Sequence, residues 1–251
     1  MTNNKYVIIA IVVSLSILTV LSTDFYVPAM PRMVVDLLTT SQMIKLTVTV
    51  FMLGMAFSPL VFGPVSDRFG RRPMLLIAAS LGLVGSVLCW LAPMVNMLIL
   101  GRLLQGIGLG AALSLARTIG SDLFEKQEFA QVAGVLSLFT AIGPAIAPVI
   151  GGYLYVHFGW RSIFLLLVAL VTTSGLAIYK KVPETIAKRD SHALRLRDIL
   201  INYRELLTHK IFMCNAVLAG LTISCIILFG VLSTFILQKQ YNLSPMQYAW
   251  M

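Results

Sequence analysis

Charge is what this chain has least of. Only 12% of its 251 residues are Asp, Glu, Lys or Arg, about half the share of a soluble domain, while 58% are apolar and the mean hydropathy is +0.90. That balance excludes a water-soluble globule. Acids are scarcer than bases, ten against nineteen, for a net charge of +9. The surplus does not point to nucleic acid, because the basic residues collect in alternate gaps between apolar runs rather than on one patch. Those runs lack the two-residue alternation of strands, so the fold class expected is an all-α polytopic membrane protein. Cysteine and histidine number three each. Cys89, Cys214 and Cys225 lie inside apolar runs, without disulfide or zinc spacing, and read as small core residues; no metal and no cofactor is expected. Also missing are His-Glu-x-x-His, Gly-x-Ser-x-Gly and a Gly-rich phosphate loop with Lys, so the chain does not read as an enzyme.

What is there is a series of spans. Residues 6–23 carry no charge, and with no small-residue cleavage site after them they read as an uncleaved first helix rather than a signal peptide. Arg32 and Asp36 are expected in the outer loop that follows. A second span covers about 46–66. Between Met74 and Ala116 the only charge is Arg102, and 43 residues are twice what one crossing needs, so a reversal is expected at Pro93 and Asn96. That makes helices of about 74–92 and 97–116, with Arg102 inside the second. A cytoplasmic stretch is expected over 117–128, then helices over 129–156, 162–179 and 211–238, with another starting near Ser244 and Pro245. The loop over 180–210 holds eight of the nineteen bases. In it Leu196, Ile199, Leu200, Tyr203, Leu206 and Leu207 recur at helical spacing with Arg195, Arg197 and Arg204 off the stripe, which reads as a surface amphipathic helix, the alternative being a plain polar linker. Fourteen of the nineteen bases fall on the side of the amino terminus, which is therefore expected in the cytoplasm.

Two places carry chemistry on their own terms. Residues 63–73, Gly-Pro-Val-Ser-Asp-Arg-Phe-Gly-Arg-Arg-Pro, place Asp67, Arg68, Arg71 and Arg72 in a turn between two spans, bracketed by Gly63 and Gly70. They read either as a basic hairpin obeying the positive-inside rule or as a site where two helix ends approach closely. The second place is a pair. Asp24 lies roughly 27 Å along the first helix, and Arg102 roughly 9 Å below the outer edge of its own. The depths differ by about one turn. An intramembrane arginine costs a few kcal/mol unless solvated or paired, and Asp24 is the one acid at matching depth.

The hairpin resembles the signature of the major facilitator superfamily between its second and third helices, carried by Gly63, Asp67, Arg68, Gly70, Arg71 and Arg72. The stretch from Asp24 through Tyr26 and Pro28 to Pro31 resembles the end of helix one in drug:proton antiporters of the bicyclomycin-resistance and chloramphenicol-efflux (Bcr/CflA) type, with Met30 in place of leucine. Residues 101–108, Gly-Arg-Leu-Leu-Gln-Gly-Ile-Gly, are similar to the helix-four motif of proton coupling, which implies that role for Arg102 with Gln105 beside it. Gly143, Pro144, Pro148, Gly151 and Gly152 resemble the helix-five antiporter motif; on their own they also describe a kinked helix that packs closely.

The resemblance implies a major facilitator fold with a six-helix half over 1–179, a cytoplasmic central loop over 180–210 and an incomplete second half over 211–251. It implies a proton-coupled exporter of small amphipathic or cationic drugs in the bacterial inner membrane, working as a monomer in the lipid bilayer with protons as partner. The 63–72 motif is implied to gate, Asp67 latching the inner side. A chain ending as the eighth helix begins is expected to be a fragment inactive alone. Two alternatives stay open: an importer of a sugar or metabolite, and a membrane fragment that only binds a partner.

Overall fold

Long apolar runs become helices because a backbone in hydrocarbon has only its own groups to bond with. The computed structural model describes residues 2–186 and 193–239 together with Tyr241, Ser244 and Gln247, and contains no strand among the described residues. The order is α1 (Thr2–Asp24), a 3-10 turn (Val27–Ala29), α2 (Met30–Asp36), α3 (Ser41–Phe69), α4 (Arg71–Leu91), α5 (Val95–Leu123), α6 (Lys126–Phe158), α7 (Arg161–Lys181), α8 (Leu196–Thr208) and α9 (Lys210–Lys239). Among the described residues, six segments are long and apolar enough to cross a bilayer: Val7–Asp36, Ser41–Phe69, Arg71–Leu91, Val95–Leu123, Arg161–Lys181 and Lys210–Gln238. α6 adds an unbroken helix of 33 residues. The chain is thus the all-α, multi-pass membrane protein that its composition predicts.

The breaks are shorter than the sequence suggests. α5 runs to Leu123 and α6 begins at Lys126, so the polar stretch expected over 117–128 is almost wholly helical. Charge ends a membrane span without ending a helix, since Glu, Gln, Lys and Arg are good helix formers in water. Arg32 and Asp36 are likewise not in a loop but one turn apart on α2, ion-paired at 2.9 Å. The reversal after α4 falls at 92–94, where expected, and the central stretch contains a helix, α8. Past α9, Ser244 and Gln247 exchange the two bonds of a capping box, Ser244 N–H to Gln247 Oε1 at 2.9 Å and Gln247 N–H to Ser244 Oγ at 3.2 Å, as at a helix start. Most of the rest of that expected helix lies outside the described residues.

α5 is the axis of the bundle. Its glycines let neighbours touch backbone to backbone: a Cβ on Gly106 would run into the Phe51 carbonyl of α3. Two apolar clusters fill the bundle. One, with Phe25, Met30, Ile44, Phe51, Cys89, Leu98 and Phe164, lies toward Trp160; the other, with Ile8, Leu75, Ala112, Leu115 and Ile178, lies toward the Gly70 turn. Among the described residues α9, beyond its junction with α8, joins the bundle by its far end, where Val231 and Phe235 are buried and Gln238 Nε2 donates to the Pro28 carbonyl at 3.0 Å. Cys214 and Cys225 are therefore exposed on α9 rather than in the core, and only Cys89 is buried as expected.

Candidate functional site

α1 stops at Asp24 for a reason the sequence states. Pro28 has no N–H, and its ring would collide with the carbonyl four residues back, that of Asp24. The helix breaks, and its last-turn carbonyls are left without helical partners. Arg102, wholly buried on α5, uses that opening: its Nη1 donates to the Ser22 carbonyl at 2.8 Å and to Gln105 Oε1 at 2.6 Å. Gln105 is itself held, its Nε2 donating to Ser86 Oγ on α4 at 2.8 Å, and Ser86 Oγ donates to the Gly82 carbonyl. The guanidinium carbon lies 4.1 Å from the ring centre of Phe51 and 4.4 Å from that of Tyr26, whose hydroxyl is 3.1 Å from Thr47 Oγ1. The guanidinium is thus stabilised by the negative end of a helix, one amide and two aromatic faces.

One expectation is corrected. Asp24 and Arg102 do not form an ion pair, and Asp24 makes no hydrogen bond or ion pair among the described residues. Neutral groups already satisfy Nη1, and the carboxyl, two residues beyond Ser22, sits at an intermediate, partly exposed position. Nε and Nη2 of Arg102 are buried with no hydrogen-bond partner among the described residues. Those two N–H groups form the edge of a guanidinium that fits a carboxylate bidentately.

The helix-five residues lie on α6, which stays continuous through Pro144 and Pro148. Gly143, Pro144 and Pro148 are partly buried, Gly151 and Gly152 fully. Gly151 presses on the break in α1: a Cβ there would overlap the Phe25 carbonyl, next to Asp24. The structure therefore joins Tyr26, Arg102 and Gln105 at the break in α1, with Asp24 two residues beyond Ser22 and Gly151 against the Phe25 backbone.

The 63–72 residues form a separate centre at the opposite end. The turn is Gly70 alone, with φ at +112°, a left-handed conformation other residues adopt only with strain. Gly63 is helical, and a Cβ on it would meet nothing within 4 Å, so it makes neither turn nor close contact. Arg71 is the hub: Nη1 lies 3.1 Å from Asp67 and 3.2 Å from Ser66 Oγ, Nε donates to Asp122 on α5 at 2.8 Å, and its backbone N–H donates to Glu184 at 2.9 Å. Through the Arg71 N–H, Glu184 caps the N-terminus of α4 with a carboxylate from beyond α7, and it also accepts the N–H groups of Thr185 and Ile186. Arg72 Nη2 donates to the Tyr179 carbonyl at 2.7 Å, while Arg68 lies exposed over the Phe69 ring.

Sequence reasoning passed over Ser22, Thr47, Phe51, Ser86, Asp122 and Glu184. Thr47 and Phe51 carry a weak signal, being four apart on one face of α3. The rest depend on helix-to-helix register. Among the described residues no cluster of His, Cys, Asp or Glu could hold a metal.

Comparison with known proteins gives the family. The sequence matches the Major Facilitator Superfamily over residues 12–251. It is 35% identical over 184 residues to the MFS-type transporter YdgK of Bacillus subtilis (strain 168), covering 68% of this chain and 46% of that one. It is 30% identical over 226 residues to the multidrug resistance protein MdtL of Escherichia fergusonii, covering 90% and 57%. The chain thus spans about half the length of these relatives. Among solved structures it is similar to a D-xylose-proton symporter (TM-score 0.67, 16% identity, 97% of this chain and 64% of that one). It is also similar to the E. coli xylose transporter XylE in a partially occluded inward-open conformation (TM-score 0.64, 18% identity, 73% and 49%), and at such identities the likeness is one of fold. The chain belongs to the major facilitator superfamily, a family of membrane transporters and not of enzymes.

Proposed function

We propose that the whole protein exports small amphipathic or cationic drug-like molecules in exchange for protons, and that Asp24 and Arg102 couple the two. The observation that carries this is the buried Arg102, hydrogen-bonded at the broken end of α1 to the neutral Ser22 carbonyl and Gln105, with Nε and Nη2 lacking a hydrogen-bond partner among the described residues and the partly exposed Asp24 carboxyl two residues beyond Ser22. When Asp24 is protonated, Arg102 rests on Ser22 and Gln105. When Asp24 loses its proton, the carboxylate attracts the unpaired edge of the guanidinium and draws it from Ser22, reshaping the end of α1 against Gly151. A cationic substrate competes for that carboxylate, so proton and substrate exclude one another, as exchange requires. The resemblance of MdtL, named a multidrug resistance protein, supports the substrate class.

The same reading assigns residues 1–179 to a six-helix half, 180–210 to a cytoplasmic connection and 211–251 to the start of a second half. It places the amino terminus and the Gly70 end in the cytoplasm of a bacterial inner membrane, the protein acting as a monomer. The Arg71 hub then ties α3, α4, α5 and the segment after α7 on the inner side, the arrangement of a gate. The test is drug-induced collapse of a pH gradient in everted vesicles carrying the whole protein: Asp24→Asn is expected to lower it at least tenfold. Wild-type exchange by Asp24→Asn would remove the carboxyl from the mechanism.

A further inference from the structure

α8 is not used by that mechanism, and its residues are not spread at random. At 100° per residue, Leu200, Tyr203 and Leu207 fall within about 60° of one another, with Ile199 and Leu206 beside them. Arg197 and Arg204 border this stripe on one side and Arg195, just before the helix, on the other, while Asp198 and Glu205 lie on the opposite face. Leu200 and Leu207 are 66% and 63% exposed, and all three arginines are exposed. Apolar residues with arginines on their borders and acids turned away make a surface complementary to a sheet of anionic headgroups over acyl chains.

A single hydrogen bond sets its depth. Pro64 lacks the N–H that would bond the Leu60 carbonyl in α3, and the Tyr203 hydroxyl supplies that donor at 2.7 Å. Leu60 lies nine residues, about 13 Å, from the end of α3, and that helix of 29 residues overhangs a ~30 Å hydrocarbon layer by roughly 7 Å at each end. The tip of Tyr203 therefore reaches below the headgroups, which brings the stripe to the boundary between headgroup and acyl chain.

We propose that α8 docks on anionic phospholipid of the inner leaflet, its arginines on the phosphates and its leucines among the acyl chains, with Tyr203 pinning it to the proline break of α3. The leaflet assignment rests on the topology proposed above; the docking does not. The test is hydrogen–deuterium exchange of α8 in the full chain, in nanodiscs of phosphatidylcholine or of phosphatidylcholine with one-third phosphatidylglycerol. A nanodisc presents the same lipid on both faces, so the result is independent of insertion direction and of transport. Anionic lipid is expected to slow exchange of α8 on the order of 100-fold, about fivefold for each of three arginines at the surface, with the effect shrinking in high salt. Arg195→Gln, Arg197→Gln and Arg204→Gln together should abolish the difference between bilayers, and Leu200→Ser with Leu207→Ser should raise exchange in both, with α4 and α5 unchanged as a check on folding. Equal exchange in the two bilayers would overturn the proposal, and so would protection reproduced by millimolar inorganic phosphate with phosphatidylcholine alone.

Discussion

Gln105→Glu changes one group in the neutral ring around Arg102 and adds one charge to it. Its carboxylate oxygen would take the place of an amide oxygen now 2.6 Å from Nη1, and Ser86 can turn its hydroxyl from the Gly82 carbonyl to donate to the second oxygen. Two opposite charges about 4 Å apart attract by about 4 kcal/mol at an effective dielectric constant near 20. Burying a carboxylate forfeits several kcal/mol of hydration, so in stability the two effects largely cancel and the melting temperature should move by only a few degrees. In coupling they do not cancel. Any state in which Asp24 draws Arg102 away must now break that attraction, which lowers its population by roughly 1,000-fold at about 1.4 kcal/mol per factor of ten. The assay is substrate-driven proton flux in proteoliposomes of the whole protein, and a loss of at least 100-fold with an intact fold is expected. Gln105→Leu, which removes the acceptor without adding charge, should cost about 1.5–3 kcal/mol of stability yet keep measurable exchange. Exchange by Gln105→Glu at the wild-type rate would refute the idea that Arg102 must be free to move between partners.

Other consequences are simpler to read. Gly151→Ala sets a methyl into the Phe25 backbone and should lower stability by about 1–3 kcal/mol, whereas Gly63→Ala, with open space around it in a helix, should raise it by up to about 1 kcal/mol; thermal unfolding in detergent compares them. Glu184→Gln keeps the shape of the α4 cap but removes its charge, and should cost about 0.5–1 kcal/mol and speed proteolysis at the Gly70 turn, an effect absent from Glu205→Gln on the outer face of α8. Tyr203→Phe leaves the Leu60 carbonyl without its donor, a loss of about 1 kcal/mol that should appear as faster exchange in α8 while α5 is unaffected.

The helices were legible because hydrocarbon demands them, and the break after Asp24 because proline forbids the alternative. The members of the two centres were legible in part: Tyr26, Arg102 and Gln105 do meet, and Asp67 and Arg71 do pair. What the sequence could not show is which atoms touch. Charge balance suggested a carboxylate for Arg102, yet the guanidinium chose a backbone carbonyl, and carbonyls leave no mark in a list of side chains. Glu184 was hidden for the same kind of reason, since it acts across 113 residues on a backbone N–H. Gly63 carried the outward sign of a turn glycine and is an ordinary helical position, because the continuity of α3 depends on how far the helix extends beyond the bilayer rather than on the motif.

The central claim is that the Asp24 carboxyl holds the proton that substrate displaces. Its most direct test is proton release, measured in weakly buffered detergent solution, when the whole purified protein binds a lipophilic cation such as tetraphenylphosphonium. We expect release of up to one proton per cation bound, lost in Asp24→Asn and retained in Asp36→Asn, whose carboxylate is already paired with Arg32. Cation binding with undiminished proton release in Asp24→Asn would contradict the account.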